Sequence, residues 1–275
     1  MKSKIIENKT VLQFGDLVQL VGEKNISFII FLSADQQFQS HHGILEHNEI
    51  VGIKWGSRVK THTQKVFIVL QPALDDIIRN VPRKTQIMYP KDIGYVMVSM
   101  GIGPGTKVIE AGSGSGALST AFAYAVGETG QVISYEIKKK NLTIAKNNLL
   151  RFGLDKRVKF IHQDIAEGFQ EEDAQALFLD VSNPEDYIDK VRAALMPGGF
   201  FGSILPTANQ VSALITALKK NSFSFIEVSE IMHRYYKPSA TRFRPVDRMV
   251  AHTGYLIFAR RITSIQESIP DNNEF

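Results

Sequence analysis

Val108-Ile109-Glu110-Ala111-Gly112-Ser113-Gly114-Ser115-Gly116 decides the fold. An apolar, β-branched run enters glycines at alternate positions and then the helix-forming stretch Ala117–Val126. Glycine lets a backbone turn tightly and approach a ligand with no Cβ in the way. The helix that follows opens on free N–H groups and the positive end of its dipole, which suits a carboxylate or phosphate. In a doubly wound sheet such a first turn lies beside the switch point where cofactors bind.

Working outward, short apolar runs alternate with helical patterns. The strand-like runs are Lys107–Glu110, Gln131–Glu136, Val158–Gln163, Ala176–Asp180 and Gly199–Leu205. The helical ones are Ala117–Val126, Lys139–Phe152, Tyr187–Leu195 and Gln210–Lys219. That alternation predicts βαβ units and a mainly parallel sheet, an α/β class. Phe223–Val228 and Tyr255–Arg260 are two late strands with no convincing helix between them, which predicts an antiparallel hairpin at the sheet edge. Residues 1–80 read as a small β-domain, with strand-like segments near Leu17–Val21, Ile26–Leu32, Ile50–Ile53 and Val66–Leu70. Residues 81–92, with two prolines and clustered cations, read as a linker, and 264–275 as a polar tail.

Four acids fall at the ends of four successive predicted strands. Glu110 precedes the glycines, Glu136 ends the second strand, Asp164 the third and Asp180 the fourth. A carboxylate at the second tip can accept both ribose hydroxyls of a nucleoside. One at the third can accept from an adenine amino group. Glu110 is the exception, since it can instead brace the glycine loop through backbone N–H groups. The pattern alone fits either a nucleoside-type methyl donor or a dinucleotide, although the G-x-G-x-G spacing differs from the G-x-G-x-x-G of dinucleotide enzymes.

Composition excludes several classes. The 275 residues contain no cysteine, so disulfides, thiolate metal sites and a cysteine nucleophile are out. No apolar run approaches the roughly 18 residues of a membrane span, and the N-terminus lacks a signal-peptide pattern, so a cytoplasmic protein is expected. The histidines are scattered without zinc spacing, and no metal is expected. Formal net charge is only +4, but its distribution is uneven. Between Ile231 and Val250 lie Arg234, Lys237, Arg242, Arg244 and Arg248, with Tyr235, Tyr236 and Phe243 among them and Asp247 as the one acid. Cations for phosphates and rings for unstacked bases make this a candidate RNA-binding surface. Lys138-Lys139-Lys140, by contrast, reads as a solvated helix end.

Glu110–Gly116 together with Glu136, Asp164 and Asp180 resembles the class I S-adenosylmethionine methyltransferases. Three further stretches narrow the resemblance: Thr85-Gln86-Ile87-Met88-Tyr89-Pro90-Lys91-Asp92, Leu179-Asp180-Val181-Ser182-Asn183-Pro184, and Arg248-Met249-Val250-Ala251-His252-Thr253-Gly254-Tyr255-Leu256. With them the chain is similar, over nearly its whole length, to the tRNA (adenine-N1)-methyltransferases of the TrmI family. These modify adenine 58 in the T-loop, and some archaeal members also modify position 57.

The resemblance implies a doubly wound, mainly parallel seven-stranded sheet over 93–263 with the small N-terminal β-domain. It implies S-adenosyl-L-methionine as cofactor, tRNA as partner and a homo-oligomer, a tetramer in typical members. Within the glycine loop, Gly112 and Gly114 would approach the cofactor, and Ser115, Gly116, Ala117 and Leu118 would contact its methionine part. Glu136 would hold the ribose and Asp164 the adenine amine, with Asn141 lining the same pocket and Gln86 touching the carboxylate. Asp180 would face both cofactor and target base, and Tyr89 would lie near the incoming adenine. Thr207 and Asn183 depart from common family patterns at the rim of the expected base pocket.

Adenine N1 carries its own lone pair, so the enzyme's task is placement. As positive charge develops on the ring, a carboxylate accepting from the exocyclic amine stabilises it. Asp180 is the expected group. Other readings share parts of the pattern: a protein-isoaspartate O-methyltransferase, a nicotinamide-dependent oxidoreductase, or a non-catalytic RNA-binding subunit. An intact glycine loop disfavours the last, and the basic-aromatic stretch is unexplained by the first.

Overall fold

The computed structural model describes residues 10–83 and 87–263. Gln86 and the 264–275 tail therefore lie outside the described residues. The chain separates into two compact units, one ending at Val81 and including Arg151–Gly153, the other taking up Pro82–Leu150 and the chain from Leu154 on.

In the first unit, strands β1 (Leu17–Val21) and β2 (Ser27–Phe31) pair antiparallel, and β3 (Gln37–Ser40) pairs with β4 (Gly43–Glu46) in a separate hairpin. A short helix α1 (His47–Ile50) follows, then β5 (Arg58–Lys60), β6 (Val66–Leu70) and helix α2 (Leu74–Arg79). The larger sheet runs β2-β1-β6-β5. Alternate residues Val18, Leu20, Phe67 and Val69 point to one face, where they join Leu12, Leu32, Phe38, Leu45 and Ile50 in the core. Ile50–Ile53 is not a strand. Ile50 is buried as the last residue of α1, and Gly52, at φ +86°, turns the chain straight after it. An apolar run of four residues is too short for periodicity to separate a helix end from a strand.

The second unit opens with helix α3 (Pro90–Ser99). The prolines do not bar regular structure through residue 92, because Pro90 occupies the first helical position, where no N–H is needed. There follow β7 (Lys107–Ala111), α4 (Ala117–Val126), β8 (Gln131–Glu136), α5 (Lys139–Arg151), β9 (Val158–His162), β10 (Ala174–Leu179), α6 (Ile188–Ala194), β11 (Leu195–Leu205) and α7 (Ala208–Lys220). The chain closes with β12 (Phe223–Ser229), the two-residue strands β13 (Tyr236–Lys237) and β14 (Arg244–Pro245), and β15 (Tyr255–Arg261). The seven-stranded sheet has the order β12-β15-β11-β10-β7-β8-β9. β11, β10, β7, β8 and β9 are parallel, and β15 runs antiparallel between β11 and β12. The edge hairpin expected from the sequence is present, with β13 and β14 forming a small ribbon within its long connection.

The core explains why the parallel strands read as nearly unbroken apolar runs. Ile109, Ile133, Leu177, Leu179, Phe201 and Ile257 are buried on one face under α6 and α7, and strands covered on both faces need not alternate. The strand order reverses beside β7, with β10 on one side and β8 on the other, so the crevice opens at the carboxyl ends of these strands.

Candidate functional site

The glycine turn after β7 is built as its sequence demands. Gly112, Gly114 and Gly116 have φ of +97°, +52° and +83°, where a Cβ is strained. Gly112 is also closely packed: a Cβ there would stand 2.2 Å from the carbonyl oxygen of Asp180. The backbones after β7 and β10 thus touch, and any side chain would part them. Gly116 caps α4 in the left-handed conformation, its Cα facing Ala145 of α5.

At the end of β8, Glu136 ties the turn down. One of its carboxylate oxygens accepts from the Gly114 N–H (3.0 Å) and from Asn141 Nδ2 (3.4 Å), and the other accepts from the Lys138 N–H (2.8 Å). Asp164, after β9, accepts from the Ala166 N–H at 2.9 Å through one oxygen. Asp180, after β10, makes no hydrogen bond from its carboxylate to protein among the described residues and is open to solvent at the pocket. The protein packed around it, and then the charge of Glu136, push its carboxyl up to about 6.

These groups border one cavity of about 460 Å³, the size of a pocket for a nucleoside-like ligand. Of the expected cofactor residues, Gly112, Gly114, Glu136, Asn141, Asp164 and Asp180 line it. Ser115, Gly116, Ala117 and Leu118 do not. Their side chains or Cα atoms are buried at the head of α4, and Asn148 donates to the Ser115 carbonyl at 2.8 Å. Tyr89 is half-buried at the head of α3 and is not among the lining residues.

Glu110 is also placed elsewhere than the cofactor pocket. It is fully buried beneath the turn and braces it through hydroxyls rather than backbone N–H groups. One oxygen accepts from Ser119 and, at 2.6 Å, from Ser134, while the other is buried with no partner among the described residues. Burial pushes its carboxyl up to about 7. The folded state therefore holds this proton more tightly than the unfolded chain does. The stability it contributes is complete below the unfolded value of 4.5 and is lost as pH rises through about 7. Glu110→Gln, which cannot ionise, is expected to gain about 1–3 kcal/mol relative to the parent between pH 5 and pH 8. Denaturant unfolding at both pH values checks this, and a pH-independent difference would count against it.

Several lining residues escaped the sequence reading. Ile137, Ile165 and Val181 each follow a tip acid directly and border the same cavity. The recurring acid–apolar dipeptide at successive strand ends was the available signal: a polar group for the edge of a flat ring, then an apolar one for its face. Lys138 borders the cavity as well and so is more than a solvated helix end. Asn183 lines the rim, and Thr207 donates to Gln210 (2.6 Å), which in turn donates to the Ser182 carbonyl (3.0 Å). The two positions that depart from family patterns thus belong to one rim.

The basic stretch forms the β13–β14 ribbon and its flanks. Arg234, Arg242 and Arg248 are exposed. Lys237 and Arg244 are half-buried and both pair with Asp247, holding its carboxyl below the usual range. Tyr236 and Phe243 stack at 5.0 Å with an interplanar angle of 11° and remain exposed. Among the described residues, no group of three or more His, Cys, Asp or Glu side chains is arranged to hold a metal, and no helix is long and apolar enough to cross a membrane.

A doubly wound sheet whose one antiparallel strand, β15, lies next to the edge, a triple-glycine first turn and acids at the second, third and fourth strand tips define a class I methyltransferase. The cavity fits that cofactor type: its three lining carboxylates face a single lysine, so it favours a cation over a dinucleotide's diphosphate. Residues 65–243 match the family described as tRNA methyltransferase complex GCD14 subunit, and residues 11–59 match the TrmI-like N-terminal family. The chain belongs to the TrmI/GCD14 family.

Among its relatives is the tRNA (adenine(57)-N(1)/adenine(58)-N(1))-methyltransferase TrmI of Methanocaldococcus jannaschii, 30% identical over 88% of this chain and 93% of that one. The crystal structure of the tRNA (m1A58) methyltransferase TrmI from Aquifex aeolicus superposes with a TM-score of 0.74 at 36% identity, covering 92% of this chain and 100% of that one. A Thermotoga maritima structure described as a SAM-dependent O-methyltransferase gives a TM-score of 0.81 at 42% identity, over 93% and 96% of the two chains.

Proposed function

We propose that this protein transfers a methyl group from S-adenosyl-L-methionine to N1 of adenine 58 in the T-loop of tRNA. The observation that carries the proposal is Asp180, the pocket carboxylate with no protein hydrogen bond among the described residues, beside carboxylates already engaged. When bound, the cofactor supplies an electrophilic methyl group on a positively charged sulfur. Glu136 has lone pairs left for the ribose hydroxyls, and Asp164 has its second oxygen for the adenine amine. Ile137, Ile165 and Val181 offer apolar surface to the ring. Asp180 accepts from the exocyclic amine of the target adenine, which becomes more acidic as N1 is alkylated. Once the bound adenine covers Asp180 and excludes water, that hydrogen bond is worth more than in solution. Tyr89 offers a stacking face to a base taken out of its RNA context.

Arg234, Arg242 and Arg248 provide the exposed charge for the phosphates. The Asp247 pairs are surface ion pairs of small worth, so Lys237 and Arg244 add to that charge only in part. Affinity for tRNA is expected to fall steeply with salt through counterion release. Replacing Arg234 and Arg242 with Ala should flatten the log–log salt slope by roughly one to two units and leave affinity for S-adenosylhomocysteine alone. Arg244→Ala should change the slope less than either. An unchanged slope in the double variant would place the RNA elsewhere.

A further inference from the structure

Two of the stretches that narrow the family resemblance, through Lys91 and Asp92 of the first and Thr253 of the last, meet in one largely buried polar cluster. Lys91 Nζ donates to Asp92 Oδ1 (2.7 Å), to Thr253 Oγ1 (2.6 Å) and to the Ile231 carbonyl (2.8 Å), which uses all three of its protons. The Thr253 hydroxyl in turn donates to Asp92 Oδ2 at 2.8 Å. Asp92 is fully buried and the Lys91 side chain is 9% exposed. Gly254 makes this possible. Its φ of +151° and its approach to Ile204, where a Cβ would stand at 2.7 Å, bend the chain so that Thr253 faces α3.

This cluster is a poor way to gain stability. A buried ion pair is often no better than apolar residues of the same shape, because desolvation offsets the attraction. Lys91 also places a cation in the first turn of α3, the wrong end for the helix dipole. What such a pair does supply is a single geometry. Ile231 and Thr253 are the two ends of the excursion that carries the basic residues and the stacked Tyr236–Phe243 pair. A second link closes the same neck outside the cluster: His252 bridges Glu230 (2.9 Å) and the Pro206 carbonyl (3.1 Å) at the end of β11. On the other side, Lys91 and Asp92 directly follow Tyr89 and Pro90 at the head of α3.

We infer that Lys91, Asp92 and Thr253 form a positioning clamp that holds the basic arm, residues 231–250, in register with Tyr89 and hence with the methyl-transfer pocket. The inference rests on the tRNA reading above. The three are positioning residues and touch neither cofactor nor base. With the clamp loosened, the arm still binds RNA through its own arginines, but the target adenine is delivered off line. A misplacement of about 1 Å can cost on the order of 10²-fold in rate.

The test is Thr253→Val, which keeps the shape and removes the hydroxyl, against Thr253→Ser, which restores it. Single-turnover methylation of an unmodified tRNA transcript is measured over a range of tRNA concentration at saturating cofactor, beside thermal melting and trypsin cleavage within the arm. For Thr253→Val, the rate at saturating tRNA should fall at least tenfold, with tRNA and S-adenosylhomocysteine dissociation constants within about threefold and trypsin cutting the arm faster. Thr253→Ser should return to within about threefold of the parent. Parental rates and cleavage in the Val variant would overturn the clamp alone, as would a rate loss that only tracks lost folded protein and cofactor binding. A parent chain that leaves tRNA unmethylated would overturn the function reading, and the clamp's role in delivering RNA with it.

Discussion

Replacing Asp180 with Asn is expected to lower the single-turnover rate of tRNA methylation by roughly 10²–10³, with much smaller changes in binding. Asp180 sits after β10 in the cavity, and its carboxylate makes no protein hydrogen bond among the described residues. Its shape is therefore not needed to hold a loop, and Asn should leave the fold intact. On the proposed mechanism, what Asn removes is the charge opposite an adenine ring that becomes positive during transfer. Such an interaction strengthens between ground and transition state, so it appears in the rate at saturation rather than in dissociation constants. The raised carboxyl, about 6, adds a pH signature. As pH falls through that value the carboxylate is protonated and loses its acceptor charge, so the parent rate should fall on the acid side and the Asn variant should lack that limb. Rapid-quench assays at saturating cofactor between pH 5 and 8 check both statements. An Asn variant that binds cofactor far more weakly yet turns over normally once saturated would make Asp180 a cofactor ligand instead.

The second large effect is structural. Gly112→Ala is expected to destabilise the protein by about 2–5 kcal/mol and to weaken S-adenosylhomocysteine binding at least a hundredfold. The position combines φ +97° with a site where a Cβ would stand 2.2 Å from the Asp180 carbonyl oxygen. A non-glycine residue in that backbone region costs about 1–2 kcal/mol, and forcing atoms into packed space adds about 1–3 kcal/mol. The obstacle is backbone, so it cannot swing aside as a flexible side chain would. Relief requires the β7 and β10 turns to separate, which moves Gly114 off Glu136 and shifts Asp180. Chemical denaturation and calorimetric titration measure the two losses. Parental stability and affinity in the Ala variant would mean that the turns yield easily, contrary to the tight packing of Gly112 against the Asp180 carbonyl. Gly52, at φ +86° with open space around it among the described residues, is the control for the backbone cost alone.

The parts of the site that the sequence announces are those encoded within a few residues. The glycine turn and the acids at Glu136, Asp164 and Asp180 each lie at a strand tip, and alternating β and α patterns place those tips side by side. Glu110 shares the same local grammar, yet it lies beneath the turn because the last residues of a strand alternate in direction. Ser115 to Leu118 follow the glycines as a phosphate or carboxylate site would require, but the first turn of α4 is packed inward. Long-range pairings left no local trace. Lys91 and Asp92 meet Thr253 across most of the second unit's sequence, and only the folded chain shows why those two stretches belong together. Asp247 likewise reads as one acid in a basic run, whereas in space it pairs with two of the five cations. In the N-terminal unit, Ile50–Ile53 was too short for apolar pattern to tell a helix end and turn from a strand.

Mapping the modified position on an unmodified tRNA transcript, after reaction with S-adenosyl-L-methionine, tests the central claim most directly. The expected result is N1-methyladenine at position 58 in the T-loop, lost when that adenine is replaced by uracil in the transcript and suppressed in the Asp180→Asn variant. Methyl groups found instead on oxygen atoms of the transcript, or transfer to isoaspartyl peptides with tRNA left unmodified, would contradict it.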